Sequence, residues 1–246
     1  MRVSEIDVRH SHEECAAARG LRRRTVIERS LLTFVPAALL GWLGAVQVVE
    51  AFRVGQLLTA NPSWPIAVEL VREILYGSFV LGAAVTLWKR RDARARDGRG
   101  RVIAASLGAS FLLVGVGLLP TGPVVWAASN RVSETCLIVT VLGAALAVTA
   151  LASLGSHFSI VPEAQSLVAT GPYRWLRHPM YFAEILMIVG IAVSNLRITY
   201  MVGAVCVIWL QIYRIRVEEQ LLSTTFPRAY KKFVARTRYR LIPCVW

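Results

Sequence analysis

The sequence predicts an all-α integral membrane protein. Of its 246 residues, 55% are hydrophobic and only 17% are charged, whereas a soluble domain carries about 25% charged residues. The mean hydropathy is positive, at +0.52, and the apolar residues are clustered into blocks rather than spaced at amphipathic intervals. Together these observations exclude a secreted disulfide scaffold, a disordered chain and an ordinary soluble enzyme.

The apolar blocks predict about six transmembrane helices, because an apolar stretch of roughly 20 residues is long enough to cross the hydrocarbon core as a helix. The last two blocks are short and only residues 195–197 separate them, which predicts a tight helical hairpin. The predicted helices cover residues 31–49, 66–88, 102–119, 136–154, 180–194 and 198–213.

The basic residues predict the orientation of the chain. Of the 28 Lys and Arg residues, 24 fall in residues 1–30, 89–101, 155–179 and 211–246, so the positive-inside rule puts both termini of a multi-pass protein in the cytosol. We expect three regions: a cytosolic N-terminal segment (1–30), four helices (31–154), and a catalytic region ending in a cytosolic helical segment (155–246).

Nucleic acid and metal are not expected partners. The net charge of +13 comes from residues that lie between apolar runs, whereas nucleic-acid binding needs a basic face on a soluble domain. The four cysteines have no metal-like spacing, which is typical of buried or free thiols.

A polar segment between the fourth and fifth apolar blocks is the first candidate for chemistry. Pro179 suits the first turn of the following helix, and His178 then lies at the helix N-terminus, where free N–H groups favour an anion. Tyr181 and Glu184 follow at three-residue steps and share one helical face. Glu184 lies inside an apolar helix, which indicates either a functional group or a structural hydrogen bond to a neighbouring helix.

A second polar cluster ends the last apolar block. Arg214 and Glu218 are four residues apart and share a helical face. Alone they are typical of a juxtamembrane charge pair. However, a hairpin of the last two helices would return them to the membrane face where His178 lies, and the groups would then form a pocket suited to a zwitterionic cofactor.

These two segments resemble the isoprenylcysteine carboxyl methyltransferase family. Residues 167–181, LVATGPYRWLRHPMY, are similar to the family's signature, and residues 214–222, RIRVEEQLL, fit its C-terminal block together with Phe226, Tyr230 and residues 240–243. The match covers about residues 151–243. The phospholipid N-methyltransferases are a related group with the same general layout.

The resemblance implies a membrane-embedded methyltransferase that uses S-adenosylmethionine. Arg214 corresponds to the family's substrate-contacting arginine, and we take Arg214 and Glu184 as the candidate catalytic residues. The residues that would bind the cofactor are Gln165, Ser166, Leu167, Val168, Tyr173, His178, Pro179, Met180, Tyr181 and Glu218.

The chemistry leaves two acceptors open. A carboxylate, with a reference pKa of about 3.3–3.7, needs no general base, but it does need a cation to orient it, which Arg214 supplies. An amine acceptor needs proton removal by Glu184, Glu219 or His178. We expect carboxyl O-methylation of a prenylated or other lipophilic acid, with N-methylation of phosphatidylethanolamine as the alternative. A transporter or scaffold is less consistent, because the polar motifs have no counterpart in the first half.

Overall fold

The computed structural model describes residues 33–89, 95–118 and 129–242. The predicted N-terminal segment 1–30 lies outside these residues. Within them the chain is mainly helical, and every predicted apolar block is a helix over its described residues, which confirms the all-α membrane fold. The helices are α1 (Thr33–Ala60), α2 (Trp64–Trp88), α3 (Gly100–Leu118), α4 (Asn130–Leu154), α5 (Pro179–Asn195), α6 (Ile198–Thr225) and α7 (Pro227–Arg236).

Four of these helices, α1, α2, α4 and α6, are long and apolar enough to cross a membrane, while α3 and α5 are apolar but shorter. The predicted hairpin is present. Helix α5 ends at Asn195, Leu196 adopts a left-handed conformation with φ 43°, and α6 begins at Ile198. Helix α6 continues well beyond the predicted end at residue 213.

Close backbone approach holds α4 against α5. A Cβ atom added at Gly143 would lie 3.0 Å from the carbonyl oxygen of Ala183, and one added at Gly190 would lie 3.0 Å from that of Cys136. Small residues at such crossings bring helices together in lipid, where burial of apolar surface gives no driving force. Helix α4 also packs against α2, and α3 packs against α6.

A short strand pair and a C-terminal segment connect the helices at the polar end of the bundle. Strand β1 (Ala95–Arg96) pairs antiparallel with β2 (Glu163–Ala164). The C-terminal strap, which we define as residues 237–240, runs beside the start of α5: the amide of Arg177 donates to the carbonyl of Tyr239, and that of His178 to the carbonyl of Arg240, both at 2.9 Å. The strap therefore fixes the chain immediately before α5.

Candidate active site

A polar pocket of about 600 Å³ lies where the start of α5 meets the C-terminal half of α6. The segment after α4 forms another wall. We call this the inner pocket. The structure brings both polar clusters of the sequence to it, although they are distant along the chain. Its lining includes Tyr173, His178, Met180, Tyr181, Glu184, Arg214 and Glu218.

A second cavity of about 540 Å³, the outer pocket, shares Tyr173, His178 and Glu218 with the inner one. It is lined by four further residues from the predicted cofactor set, Gln165, Ser166, Leu167 and Val168. Pro179 is fully buried and lines neither pocket. It is the first residue of α5, and proline suits this position because the helix makes no hydrogen bond there from the backbone N–H that proline lacks. The two pockets together thus contain every other residue of the predicted site.

Arg214 is almost completely buried, with 3% of its surface exposed. Its Nη1 donates to Gln211 Oε1 at 2.9 Å, and its Nη2 donates to the Ile160 carbonyl at 2.6 Å. The guanidinium also lies 4.8 Å from the ring centroid of Tyr181, a distance at which a cation is attracted by the ring. In the described part of the chain, Nε has no hydrogen-bond partner. Arg214 is therefore held in place while one donor stays available.

Gln211 links the two candidate catalytic residues. It is fully buried, it accepts a hydrogen bond from Arg214, and its Nε2 donates to Glu184 Oε2. The sequence did not identify this residue, because a single Gln inside an apolar block has no motif around it. Its position three residues before Arg214, on the same helical face, is the signal that would have found it.

Tyr181 and Glu218 join α5 to α6 at the other side of the inner pocket. Tyr181 Oη donates to Glu218 Oε2 at 2.6 Å. The Tyr181 ring also stacks with that of His178, at a centroid distance of 5.6 Å. The bond leaves the other carboxylate oxygen of Glu218 available to a ligand.

Glu219, which the sequence suggested as one possible base, instead forms ion pairs that hold the strap in place. Arg177 Nη1 lies 3.2 Å from Glu219 Oε1, and Arg240 Nε lies 3.0 Å from Oε2. Arg177 also donates through Nε to the carbonyl of Thr237, at 2.8 Å, and through Nη2 to that of Arg238, at 3.1 Å. These bonds tie α6, the segment before α5 and the strap into one unit.

The wall formed by the segment after α4 is also held by charges. Arg96 pairs with Glu163, whose other carboxylate oxygen accepts from Gln165 Nε2 at 3.2 Å. Burial raises the pKa of the Tyr173 phenol well above its ordinary value, and the carboxylates of Glu218 and Glu184 raise it further. Tyr173 therefore stays neutral and lines both pockets as a hydroxyl-bearing aromatic surface.

Unsatisfied polar atoms test whether a zwitterionic cofactor suits these pockets. Ser159 Oγ, Gln165 Oε1 and His178 Nε2 are buried without a hydrogen-bond partner among the described residues, and such atoms are rare unless a ligand or water completes them. His178 Nε2 lies 3.5 Å from Glu219 Oε1, which is too far for a good hydrogen bond. The amide N–H of Phe182 donates to the carbonyl of His178 and makes the first backbone hydrogen bond of α5. The N–H groups before it have no such partner within the helix, as at any helix N-terminus. These groups offer both donors and acceptors, as S-adenosylmethionine would need.

Comparison with known proteins identifies this region. Residues 133–229 match the family model for phospholipid methyltransferase. This segment is a phospholipid methyltransferase family domain. It belongs to the same membrane methyltransferase superfamily as the isoprenylcysteine carboxyl methyltransferases, so the resemblance seen in the sequence is confirmed. No curated protein matches the chain.

The matched segment covers α4 to the beginning of α7, and with them nearly all of both pockets. The matched domain therefore indicates a membrane methyltransferase. Among the residues the structure describes, no group of three His, Cys, Asp or Glu side chains is placed to hold a metal ion.

Proposed function

We propose that the chain uses S-adenosylmethionine to methylate the carboxylate of a lipophilic acid, at the end of the bundle that we expect to face the cytosol. The observation that carries the proposal is Arg214. It is a buried cation, and its Nε donates a hydrogen bond to none of the described residues. A carboxylate bound to Nε and the adjacent Nη2 would receive two charge-assisted hydrogen bonds.

The apolar part of the acceptor has a place beside this cation. A cavity of about 790 Å³, lined by α1, α2, α3 and α5, adjoins the inner pocket, and the two share Ser110, Phe158, Ile160 and Glu184. Most of its surface is aliphatic or aromatic. A lipid tail in this cavity would place its polar end next to Glu184 and Arg214, in a site from which water is largely excluded.

The cofactor would occupy the pockets around Glu218. Glu218 would receive its ammonium or ribose hydroxyls, and the first N–H groups of α5 would receive its carboxylate. When bound, S-adenosylmethionine supplies an electrophilic methyl on a sulfonium sulphur. Arg214 would orient the acceptor oxygen in line with that methyl, and this orientation would account for most of the rate enhancement. Transfer to a carboxylate oxygen would need no proton removal, so no side chain of the pocket would have to act as a base.

A second candidate is N-methylation of a phosphatidylethanolamine-type headgroup. The family match favours it, and so does the carboxylate of Glu184, which lines the inner pocket and would take the amine proton. Arg214 would then hold the headgroup phosphate, because a guanidinium binds phosphate and carboxylate in the same bidentate manner.

One comparison separates the two acceptors. The purified protein in nanodiscs is given labelled S-adenosylmethionine with either a farnesylated cysteine analogue or phosphatidylethanolamine. We expect base-labile label on the first, since an ester hydrolyses in base. Base-stable label on the second, with none on the first, would refute carboxyl methylation. No saturable cofactor binding would refute both candidates.

Arg214→Gln tests the role of the cation, with Arg216→Gln as the matched control. Arg216 is exposed on the same helix and lines neither pocket. Removing one partner of a buried charge-assisted pair costs about 2–5 kcal/mol, so Arg214→Gln should lower kcat/KM at least about 30-fold. Arg216→Gln should leave it within about twofold. Equal losses in both variants would contradict the assignment.

A further inference from the structure

A basic groove lies between α7 and the segment before α5, outside the inner and outer pockets. Its open space is about 1,040 Å³. Arg174 and Trp175 form one wall, and Lys232 and Arg236 of α7 form the other. None of the nine residues that line the groove is acidic, and in the described part of the chain these three cations make no ion pair. The groove therefore concentrates positive charge that is not compensated from within the protein.

The groove has a fixed shape, because its two walls are joined at the bottom. Thr237 ends α7 and also lines the groove. Its hydroxyl donates to the Arg174 carbonyl at 3.4 Å, and its carbonyl accepts from Arg177 Nε at 2.8 Å. Arg177 is held in turn by Glu219 of α6. The backbone segments that carry the cations of the two walls are therefore bonded to each other.

The position of the groove indicates a membrane surface. Trp175 is 72% exposed and precedes the apolar helix α5 by only four residues, so it lies no more than about 14 Å from the beginning of that helix. Exposed tryptophans are enriched at the headgroup level of bilayers, where the ring is in contact with both apolar and polar groups. A groove that combines such a tryptophan with unpaired Arg and Lys side chains has the chemistry that lipid headgroups require.

We propose that this groove binds the phosphate of an anionic phospholipid, with Arg174, Lys232 and Arg236 contacting the headgroup and Trp175 contacting the glycerol and upper acyl region. An anionic lipid suits the groove better than a zwitterionic one, because no acidic side chain is present to receive a choline or ethanolamine cation. The orientation predicted from the basic residues would place the groove at the cytosolic leaflet, whose surface carries negative charge.

Native mass spectrometry of the full-length protein in detergent tests this directly. The protein is mixed with equal amounts of phosphatidylglycerol and phosphatidylcholine, and the bound lipids are counted. We expect one retained phosphatidylglycerol molecule per chain. Lys232→Ala/Arg236→Ala should weaken its binding about tenfold or more, since each basic residue near an anionic surface contributes on the order of 1 kcal/mol.

The matched control is Arg228→Ala/Lys231→Ala, which removes the same charge from the same helix but from exposed residues that do not line the groove. This control should retain the lipid. Equal loss in both double variants would show general electrostatic attraction and would overturn the proposal, as would equal retention of the two lipids by the unmodified protein. Arg174→Gln, on the opposite wall, should weaken binding as well.

Free phosphate is the other source of the same chemistry. Inorganic phosphate at millimolar concentration should leave the bound phosphatidylglycerol in place, because the lipid also contacts Trp175 through its apolar part. Displacement of the lipid by inorganic phosphate would show that the groove recognises a soluble phosphate and would overturn the assignment to a lipid. The thermal unfolding temperature of each variant verifies that it is folded.

Discussion

The hydrogen-bond chain from Glu184 through Gln211 to Arg214 makes the role of Glu184 testable. Gln211 accepts from Arg214 and donates to Glu184, so Gln211→Met removes both bonds while nearly preserving the side-chain volume. Arg214 keeps its bond to the Ile160 carbonyl and its position over Tyr181. What it loses is one of the two hydrogen bonds that set the direction of its guanidinium.

The size of the effect follows from these contacts. A hydrogen bond to a charged group contributes about 1.5–3 kcal/mol, and a tenfold change in rate corresponds to about 1.4 kcal/mol. If the bond matters chiefly when the acceptor is aligned, Gln211→Met should lower kcat about 10- to 150-fold. Cofactor affinity should change by less than about threefold, since Gln211 makes no bond to Glu218 or Tyr181.

The E184Q/Q211E double variant exchanges the amide and the carboxylate and preserves both hydrogen bonds. A carboxylate at position 211 would accept from Arg214 and also from the new amide at position 184. For a carboxylate acceptor, which needs no base, we expect recovery to within about tenfold of the unmodified kcat. The Q211E single variant should lose more, because it sets two carboxylates against each other, whereas the amide oxygen at position 184 in E184Q can still accept from Gln211 Nε2.

The assay is the initial rate of label transfer to the farnesylated cysteine analogue, with binding of labelled cofactor measured in parallel. Thermal unfolding of each variant in detergent verifies the fold. If E184Q and the double variant both bind cofactor normally and are both inactive, the Glu184 carboxylate itself takes part in the reaction. That result would refute a positioning role and favour an amine acceptor.

Three further predictions concern the cofactor site, the packing of the helices and the acceptor. Tyr181→Phe removes the 2.6 Å bond to Glu218, so the Kd for labelled S-adenosylmethionine should rise about tenfold; an unchanged Kd would contradict a cofactor role for Glu218. Gly190→Ala forces a Cβ against Thr140 and the Cys136 carbonyl and should destabilise the bundle by about 1–3 kcal/mol in thermal unfolding, whereas Gly41→Ala, with open space around it, should not. Between pH 6 and 9 the initial rate should be flat for a carboxylate acceptor, because the acceptor is ionised throughout; a rise approaching tenfold per pH unit would indicate an amine.

The membrane helices were predictable from the sequence because hydropathy alone determines which segments can enter lipid, and each predicted block is a helix. Their ends were less predictable. Helix α6 continues through Arg214 and Glu218 to Thr225, since tertiary bonds to Ile160 and Tyr181 satisfy those polar groups. A hydropathy profile ends the helix at these polar residues, because it contains no information about the partners that they bind in the fold.

The chemistry of the site was predictable only where a motif carried it. His178, Arg214 and Glu218 stand in recognisable segments, and the structure brings them to one pocket. The second anchor of Arg214 is a backbone carbonyl, which every residue has, so no side chain in the sequence indicates it. The pairing of the strap with the segment before α5 joins residues about 60 positions apart, and no local pattern specifies such a register.

The charges around the inner pocket also bear on the choice of acceptor. Glu163 is paired with Arg96, and Glu219 with Arg177 and Arg240, so the Asp, Glu, Lys and Arg side chains of the described pocket lining that remain for a ligand are Arg214, Glu184 and Glu218. A carboxylate acceptor loses its charge as it receives a methyl from a sulfonium, and a low-dielectric pocket favours a step in which opposite charges disappear. An amine acceptor would instead gain a positive charge beside the guanidinium of Arg214. The anchored cation therefore favours binding and orientation of the first acceptor and opposes the charge gained by the second, unless Glu184 removes the proton as the new bond forms.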